Sequence, residues 1–430
     1  MRICNYSAVT LLVSKRFLPV AATVFFWIIG FSFLLANPKP GDVFREYHIT
    51  EGGSNGQPDS EWMDEFVFIS HHTGEKSTQG DRSFYEIDLK YAIKAEFVAS
   101  YWGGHIGSEN RRVIFNDNPA EALPLIQNTP SRPECYFSQQ SQAACEIPLN
   151  YLKQGENKFR LEVDDQICYS FNWGWFWTNQ VVLRIYYDPS KVAHPYGRID
   201  EPLSNSKITG FSKISCDIER GDIAKVEFIG KYIDFSWEGN GNFNDWHGIF
   251  YMKDTNMQKH IGTASGLYPY VNWDCRWIPD QEGVQIAARL VDKSGMIYVT
   301  EAVENIKLEH RDRVVKMYPA SEVPEAFATQ TDSAMCTINI PDGLDNAFLA
   351  KLVMSTFSGG TVDREVYIND VPIVKGGWGR WHRLAFCEEY VPLKVLKKGA
   401  NEFKIKADFP KEHAFEVNWP GPVLFIEYEK

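Results

Sequence analysis

Arg112-Val113-Ile114-Phe115-Asn116-Asp117-Asn118-Pro119, followed by Ile147-Pro148-Leu149-Asn150-Tyr151-Leu152-Lys153-Gln154-Gly155-Glu156-Asn157-Lys158-Phe159-Arg160-Leu161, decides the fold because the chain says it twice. The second copy reads Glu365-Val366-Tyr367-Ile368-Asn369-Asp370-Val371-Pro372, then Val391-Pro392-Leu393-Lys394-Val395-Leu396-Lys397-Lys398-Gly399-Ala400-Asn401-Glu402-Phe403-Lys404-Ile405. Asn-Asp between two short apolar runs is a tight hairpin turn, since both residues tolerate a left-handed backbone. Leu-Lys-x-Gly-x-Asn is one turn of helix ended by a left-handed Gly and followed by a strand. The repeat reaches further in both directions. Gly103-Gly104 and Gly359-Gly360 precede the hairpins, and Phe171-Asn172-Trp173 and Val417-Asn418-Trp419 precede closing apolar runs at 181–187 and 423–428.

Strand signals dominate elsewhere. Short apolar or alternating runs at 113–115, 159–163, 181–187, 224–228, 285–290, 298–303, 366–368, 403–407 and 423–428 are bounded by Gly, Pro, Asn and Asp. Long amphipathic helices are absent, and 151–152 and 395–396 read as single turns. The fold class is all-β, three β-sandwiches behind an N-terminal apolar segment. The expected units are 1–36 (signal peptide or membrane anchor), 37–190, 191–312 and 313–430.

On these motifs, both repeat units resemble the galactose-binding-domain-like jelly rolls of carbohydrate-binding modules and of β-galactosidase accessory domains. There a V-x-V-N-G hairpin precedes L-K-x-G-x-N; this chain has Asn-Asp where Asn-Gly is commoner. The resemblance covers about 60–190 and 330–430. It implies a jelly-roll fold and a carbohydrate partner. The segment 191–312 looks like bacterial immunoglobulin-like or fibronectin-like modules. It carries Gly221-Asp222-Ile223-Ala224-Lys225-Val226, Trp273-Asp274-Cys275-Arg276-Trp277-Ile278-Pro279 and Asp292-Lys293-Ser294-Gly295. Such modules space and orient their neighbours.

Composition bounds the partners. Of 430 residues, 14% are aromatic, with 13 Trp, which suits strands and supplies flat faces for sugar rings. The net charge is −12, and because the first 36 residues hold three basic and no acidic side chains, the rest carries −15. An acidic body excludes nucleic acid held by phosphate neutralisation. It also argues against bulk adhesion to anionic lipid. Residues 17–36 are uncharged and apolar behind Lys15-Arg16. This is a secretory signal or an anchor, so the protein is expected to be exported, with membrane contact only through that segment. Beyond Cys4 the cysteines segregate by unit, as a disulfide framework in an oxidising compartment would have them. The expected pairs are Cys135–Cys145, Cys216–Cys275 and Cys336–Cys387, with Cys168 left over.

Three groups of site residues follow. Trp173, Trp175 and Trp177 alternate, so on a strand they share a face. Trp173 matches Trp419 in the second copy and belongs to the scaffold, whereas Trp175 and Trp177 have no aromatic counterpart and are free to stack on sugar. Trp102 and His105 beside Gly103-Gly104, with Tyr101, form a second carbohydrate-binding group. Trp378, Arg380, Trp381 and His382 in a Gly-rich stretch form a third, where indoles stack and Arg and His bond hydroxyls. Glu238, Asn240, Asn242 and Asn244 place oxygens at alternate positions of a Gly-containing loop, the donor set of Ca²⁺. No nucleophile, zinc, Walker or dinucleotide motif occurs. The acid doublets Asp164-Asp165 and Glu388-Glu389 could serve glycoside hydrolysis, but none is singled out as catalytic. The expected function is an exported, non-catalytic protein that binds poly- or oligosaccharide, at the cell surface or accessory to polysaccharide use. A glycoside hydrolase or polysaccharide lyase with its site between sandwiches is the alternative, and a structural or adhesive surface protein a third.

Overall fold

The computed structural model describes residues 38–50, 68–71, 82–104, 106–126, 128–168, 175–251, 254–329, 332–358, 364–375, 383–407 and 415–430. These residues are all-β, arranged as antiparallel sheets stacked into sandwiches. The duplicated motif folds as its chemistry requires. Asn116-Asp117 and Asn369-Asp370 all have positive φ, between 47° and 62°, the backbone of a tight hairpin. Short 3₁₀ turns at Leu149–Tyr151 and Leu393–Val395 precede Gly155 and Gly399, both at φ +90°.

The repeated asparagines also have a job that the sequence pattern alone does not disclose. Asn116 Nδ2 donates to Asn157 Oδ1 (2.9 Å) and to the Tyr151 carbonyl (2.8 Å). Asn369 Nδ2 donates to Asn401 Oδ1 and to the Val395 carbonyl, both at 2.8 Å. Asn157 and Asn401 are buried, and each exchanges hydrogen bonds with the backbone of the Lys four residues earlier. One amide pair per copy thus ties the hairpin to the 3₁₀ turn and satisfies buried groups at both ends.

In the first sandwich, Ala92–Trp102, Gln139–Glu146 and Trp175–Tyr187 face a second sheet of Arg82–Ile87, Gly155–Glu162, Arg112–Phe115 and Glu121–Ala122. The strand Val43–Ile49 pairs with Trp175–Tyr187 on one side and with Met296–Val299 on the other. One sheet therefore runs without interruption from 37–190 into 191–312, and one hydrophobic core spans both segments. The 191–312 segment adds a facing sheet of Tyr196–Glu201, Phe211–Arg220 and Tyr270–Asp274. The last sandwich has its own core of residues such as Leu352, Met354, Ile405 and Phe403. It packs on the first through Trp102, Trp177, Phe357 and Leu384, and on the middle segment through Phe235, Trp237, Val353 and Phe425. The run expected as one strand over 298–303 is broken. Met296–Val299 ends at Thr300, whose hydroxyl and N–H both bond Ala288, and Val303–Leu308 starts afresh.

The cysteine pairing differs from expectation. Cys135 bonds Cys168, with Cα atoms 5.7 Å apart, while Cys145 lies opposite Phe97 on Gln139–Glu146. Cys216 and Cys275 sit at opposite ends of one strand pair, because Cys275 bonds Gly210 and Cys216 bonds Pro269. Six residues of register separate them, about 20 Å at ~3.4 Å per residue, whereas a disulfide needs less than about 7 Å. Cys336 and Cys387 lie on strands that do not pair with each other, Ser333–Ile340 and Arg383–Tyr390, and keep their thiols. Pairs grouped by segment do not imply pairs in contact, since a strand places its two ends far apart.

Candidate functional site

A cleft of about 470 Å³ opens between the middle segment and the last sandwich. The middle segment contributes Asp234, Phe235 and Trp237 from the loop after Ile223–Ile233, Lys259 and His260, and Asn272, Trp273, Asp274 and Trp277. The last sandwich contributes Lys351 and Val353 from Ala347–Ser358, Glu388 from Arg383–Tyr390 and Phe425 from Val423–Glu429.

Local sequence explains why these groups converge. Along Tyr270–Asp274 the side chains alternate, burying Trp273 against Tyr232 (5.1 Å between rings) and leaving Asn272 and Asp274 exposed at the rim. The loop 234–243 closes on itself through Asp234 N–H to the Phe243 carbonyl (2.9 Å). Gly239 and Gly241, at φ +70° and +77°, let it turn back. It is pinned to the first sandwich by Ser141 N–H donating to the Glu238 carbonyl (2.9 Å). Beneath it His247 is buried, its Nδ1 3.3 Å from Glu238 Oε1 and its Nε2 2.9 Å from the Tyr232 carbonyl. Both partners can only accept, so both ring nitrogens carry protons. Burial alone would lower the His247 pKa, but Glu238, then Asp234 and the Tyr232 carbonyl, outweigh it and raise it to about 9.

A pH dependence follows. A raised folded-state pKa favours the protonated form, so this stabilisation is complete below about pH 6.5 and is lost as pH rises through about 9. Urea titrations from pH 6 to 10 should show wild-type stability falling across that window more steeply than in Glu238→Gln. Equal slopes would mean that the pair does not hold the proton.

The cleft's charges are paired across its two walls. Glu388 accepts from Lys259 (3.1 Å) and Lys351 (3.0 Å). Burial works to raise its pKa, yet the two ammoniums prevail and hold it below the usual range. The same lysines cover indoles: Lys259 Nζ lies 3.7 Å from the Trp237 ring centre and Lys351 Nζ 4.8 Å from that of Trp277. Burial raises the Asp234 pKa against the attraction of His247 and Lys351. Burial lowers that of His260 to about 4, so its imidazole is neutral in ordinary buffers and bonds Thr263 Oγ1 at 2.7 Å. Asp274 is held low by its bonds to Arg276.

Two of the residues expected to bind carbohydrate lie at a buried junction instead. Trp102 and Trp177 are 2% and 0% exposed. Trp102 stacks on Phe357 at 4.0 Å and meets Trp177 at 4.5 Å, so both indoles glue the first sandwich to the last. That corrects the expectation of ligand contact for these two: Trp102 beside Gly103-Gly104 and Trp177 without a counterpart in the second copy are both covered by another part of the chain. Trp175 begins the strand Trp175–Tyr187, its backbone opposite His71. His105, Trp173, Trp378, Arg380, Trp381 and His382 lie outside the described residues. Trp419 is buried against Tyr136, as a scaffold residue should be.

Three of the four side chains expected to bind Ca²⁺ are engaged by the loop and its neighbours. Asn240 Oδ1 accepts from Asn242 N–H (2.8 Å) and Ser236 Oγ (3.1 Å), and Asn242 Oδ1 accepts from Asn244 N–H (3.1 Å). With Glu238 on His247, three of the four alternate positions build the loop itself. Among the described residues no cluster of three or more His, Cys, Asp or Glu could hold a metal ion.

Sequence reading missed Trp237, Trp277, Lys259, Lys351 and Asp234. The run holding Trp273 and Trp277 reads only as a feature of an immunoglobulin-like module, which assigns it no site. Nothing in the sequence pairs Lys351 with Glu388.

No protein-family model matches the chain, and no curated protein matches it. Among solved structures it is similar to BpGH86A, a β-porphyranase of glycoside hydrolase family 86 from the human gut bacterium Bacteroides plebeius, at 13% identity and a TM-score of 0.22. That match covers 57% of this chain and 38% of the other. BuGH86 in complex with neoagarooctaose matches at 10% identity and TM-score 0.22, over 51% of this chain and 32% of that one. A structure of infectious bursal disease virus, Gx strain, matches at 10% identity and TM-score 0.19, over 88% and 79%. The chain thus spans about a third of the first two structures' length, and likenesses at these TM-scores carry no weight for function.

Proposed function

We propose that this protein binds poly- or oligosaccharide in the cleft between its middle segment and its last sandwich. The observation that carries the reading is the pairing of indoles with hydrogen-bonding groups around one opening. Trp237 and Trp277 lie under flexible lysines, and Asn272, Asp274, His260 and Glu388 stand beside them. A pyranose presents C–H faces to indoles and hydroxyls to such neighbours. The volume lies within the roughly 300–1,000 Å³ of small-molecule sites. A cation on an exposed ring is worth only about 0.5–1 kcal/mol, so a sugar can displace Lys351 from the partly open Trp277.

The protein would be exported. The apolar segment 17–36 behind Lys15-Arg16 and the Cys135–Cys168 disulfide support that placement. Ca²⁺ has no part in this reading, because the loop around Asn240 already uses its oxygens.

Retention on a panel of immobilised polysaccharides tests it. Trp277→Ala and Asn272→Ala, both at the rim, should weaken retention. Loss of one stacking contact is worth about 0.5–1.5 kcal/mol, up to about ten-fold in Kd. Trp102→Phe, at the buried junction, should leave it unchanged. A wild-type protein that no glycan retains would end the reading.

A further inference from the structure

Two carboxyl groups enter this cleft from different walls. Asp234 follows the strand Ile223–Ile233 of the middle segment, and Glu388 lies on Arg383–Tyr390 of the last sandwich. Lys351 connects them: its Nζ is 3.0 Å from Glu388 Oε2, and its charge also acts on Asp234. Resting on the reading that the cleft holds a saccharide, we propose that it also hydrolyses it, with Asp234 as the acid and Glu388 as the base on a glycosidic bond seated between the two walls.

The two environments differ in the sense this chemistry needs. Asp234 sits at the foot of the enclosing loop, where burial outweighs His247, a backbone hydrogen bond from Phe235 and Lys351, so its proton is retained to higher pH than usual. Glu388 is at the rim, half-open to water, and two ammoniums keep it ionised. Carboxyls whose surroundings push them apart divide into donor and acceptor. Trp277, partly open at the rim, flanks them and would orient the ring.

The step balances without a cofactor. Asp234 gives its proton to the bridging oxygen as the bond from that oxygen to the anomeric carbon breaks. Water adds to that carbon from the other face, and the proton it sheds passes to Glu388. Exchange with solvent then returns Asp234 to its acid form and Glu388 to its base form. One water is consumed, one reducing end appears, and nothing is oxidised or reduced. A base acting through water places that water opposite the leaving oxygen, so the product anomer is inverted.

The test takes each polysaccharide that the immobilised panel shows to be retained and measures reducing ends released by the wild-type chain, Asp234→Asn, Glu388→Gln and Glu389→Gln. Removing an acid or base group should lower turnover by roughly 10²- to 10⁴-fold, with retention and melting temperature kept. Glu389→Gln, which alternation turns to the other side of the strand, should keep full turnover. Retention without any release of reducing ends would overturn hydrolysis and leave binding intact, whereas no retention would remove the binding reading first. Turnover that survives in either variant, a retained anomer, or unsaturated product ends would each overturn the assigned roles.

Discussion

Glu46→Gln should lower the unfolding free energy by about 3–5 kcal/mol, the loss expected when one partner leaves a buried ion pair. Glu46 lies on the strand that joins the first two segments, with its side chain 4% exposed. Its Oε1 accepts from Arg184 at 2.9 and 3.0 Å, and its Oε2 from Arg289 at 2.6 Å. Arg184 belongs to Trp175–Tyr187 and Arg289 to Gln281–Asp292, so a single carboxylate fastens one segment to the other. The cluster continues outward. Arg184 meets Glu96 at 3.2 Å, Tyr186 donates to Glu96 at 2.6 Å, and Arg289 meets Glu227 at 3.2 Å. Lys94 and Lys225 close its two ends on Glu96 and Glu227.

Burial alone would raise the Glu46 pKa, but Arg289 and Arg184 hold it well below the usual range. Its contribution is therefore present above the unfolded value near 4.5 and is lost as pH falls further, through the depressed folded value. Glutamine keeps the shape and removes the charge, so Arg184 keeps Glu96 and Arg289 keeps Glu227, but the anion they share is gone. Urea unfolding at neutral pH measures the effect as a lower midpoint at unchanged m. Asp222→Asn, which breaks the exposed pair with Lys293, is the comparison, because surface pairs are worth ~0–1 kcal/mol. Equal losses from the two variants would show that the cluster does not hold the segments together.

Gly239→Ala should unseat the loop 234–243 and abolish glycan retention with it. A Cβ at Gly239 would overlap the Gln139 carbonyl oxygen, which is backbone in the strand Gln139–Glu146 and cannot move aside. The φ of +70° adds about 1–2 kcal/mol of strain for a residue with a Cβ. The loop must then lift, breaking the Ser141 N–H to Glu238 carbonyl bond and carrying Trp237 away from Phe386, against which it packs at 5.1 Å. Gly266→Ala separates the two effects. Gly266 has φ +96° but open space around it, so the variant feels the backbone strain alone. Melting temperature and retention, read together, should fall far more for Gly239→Ala than for Gly266→Ala. Matching values would mean that contact with the first sandwich does not position the loop.

Much of the fold was legible for local reasons. Asn-Asp at a turn, Gly after Leu-Lys and the apolar runs of the closing strands are short-range chemistry, and each turn and strand of the duplicated motif stands where that chemistry puts it. The site was far less legible. Trp177 reads as free for a ligand because the second copy lacks an aromatic at its position, yet it is free only with respect to its own sandwich. Trp277 lies in a run that resembles an immunoglobulin-like module and so points to no site, while Lys351 and Glu388 sit on separate strands of the last sandwich, distant in sequence from Lys259 and Asp234. The cysteines failed for a related reason: segregation by segment ignores the register that sets Cys216 far from Cys275.

Two turns, their glycines and short apolar runs between turn residues are enough to determine an all-β fold, because each depends on residues only a few positions apart. Which faces remain open is a different kind of fact. The strand Val43–Ile49 merges two segments into one sheet, the last sandwich covers Trp102 and Trp177, and the same packing leaves a cleft where Trp237, Trp277, Lys351 and Glu388 meet. Only the tertiary structure decides these, since burial and ion pairing depend on surfaces that come together from distant parts of the chain.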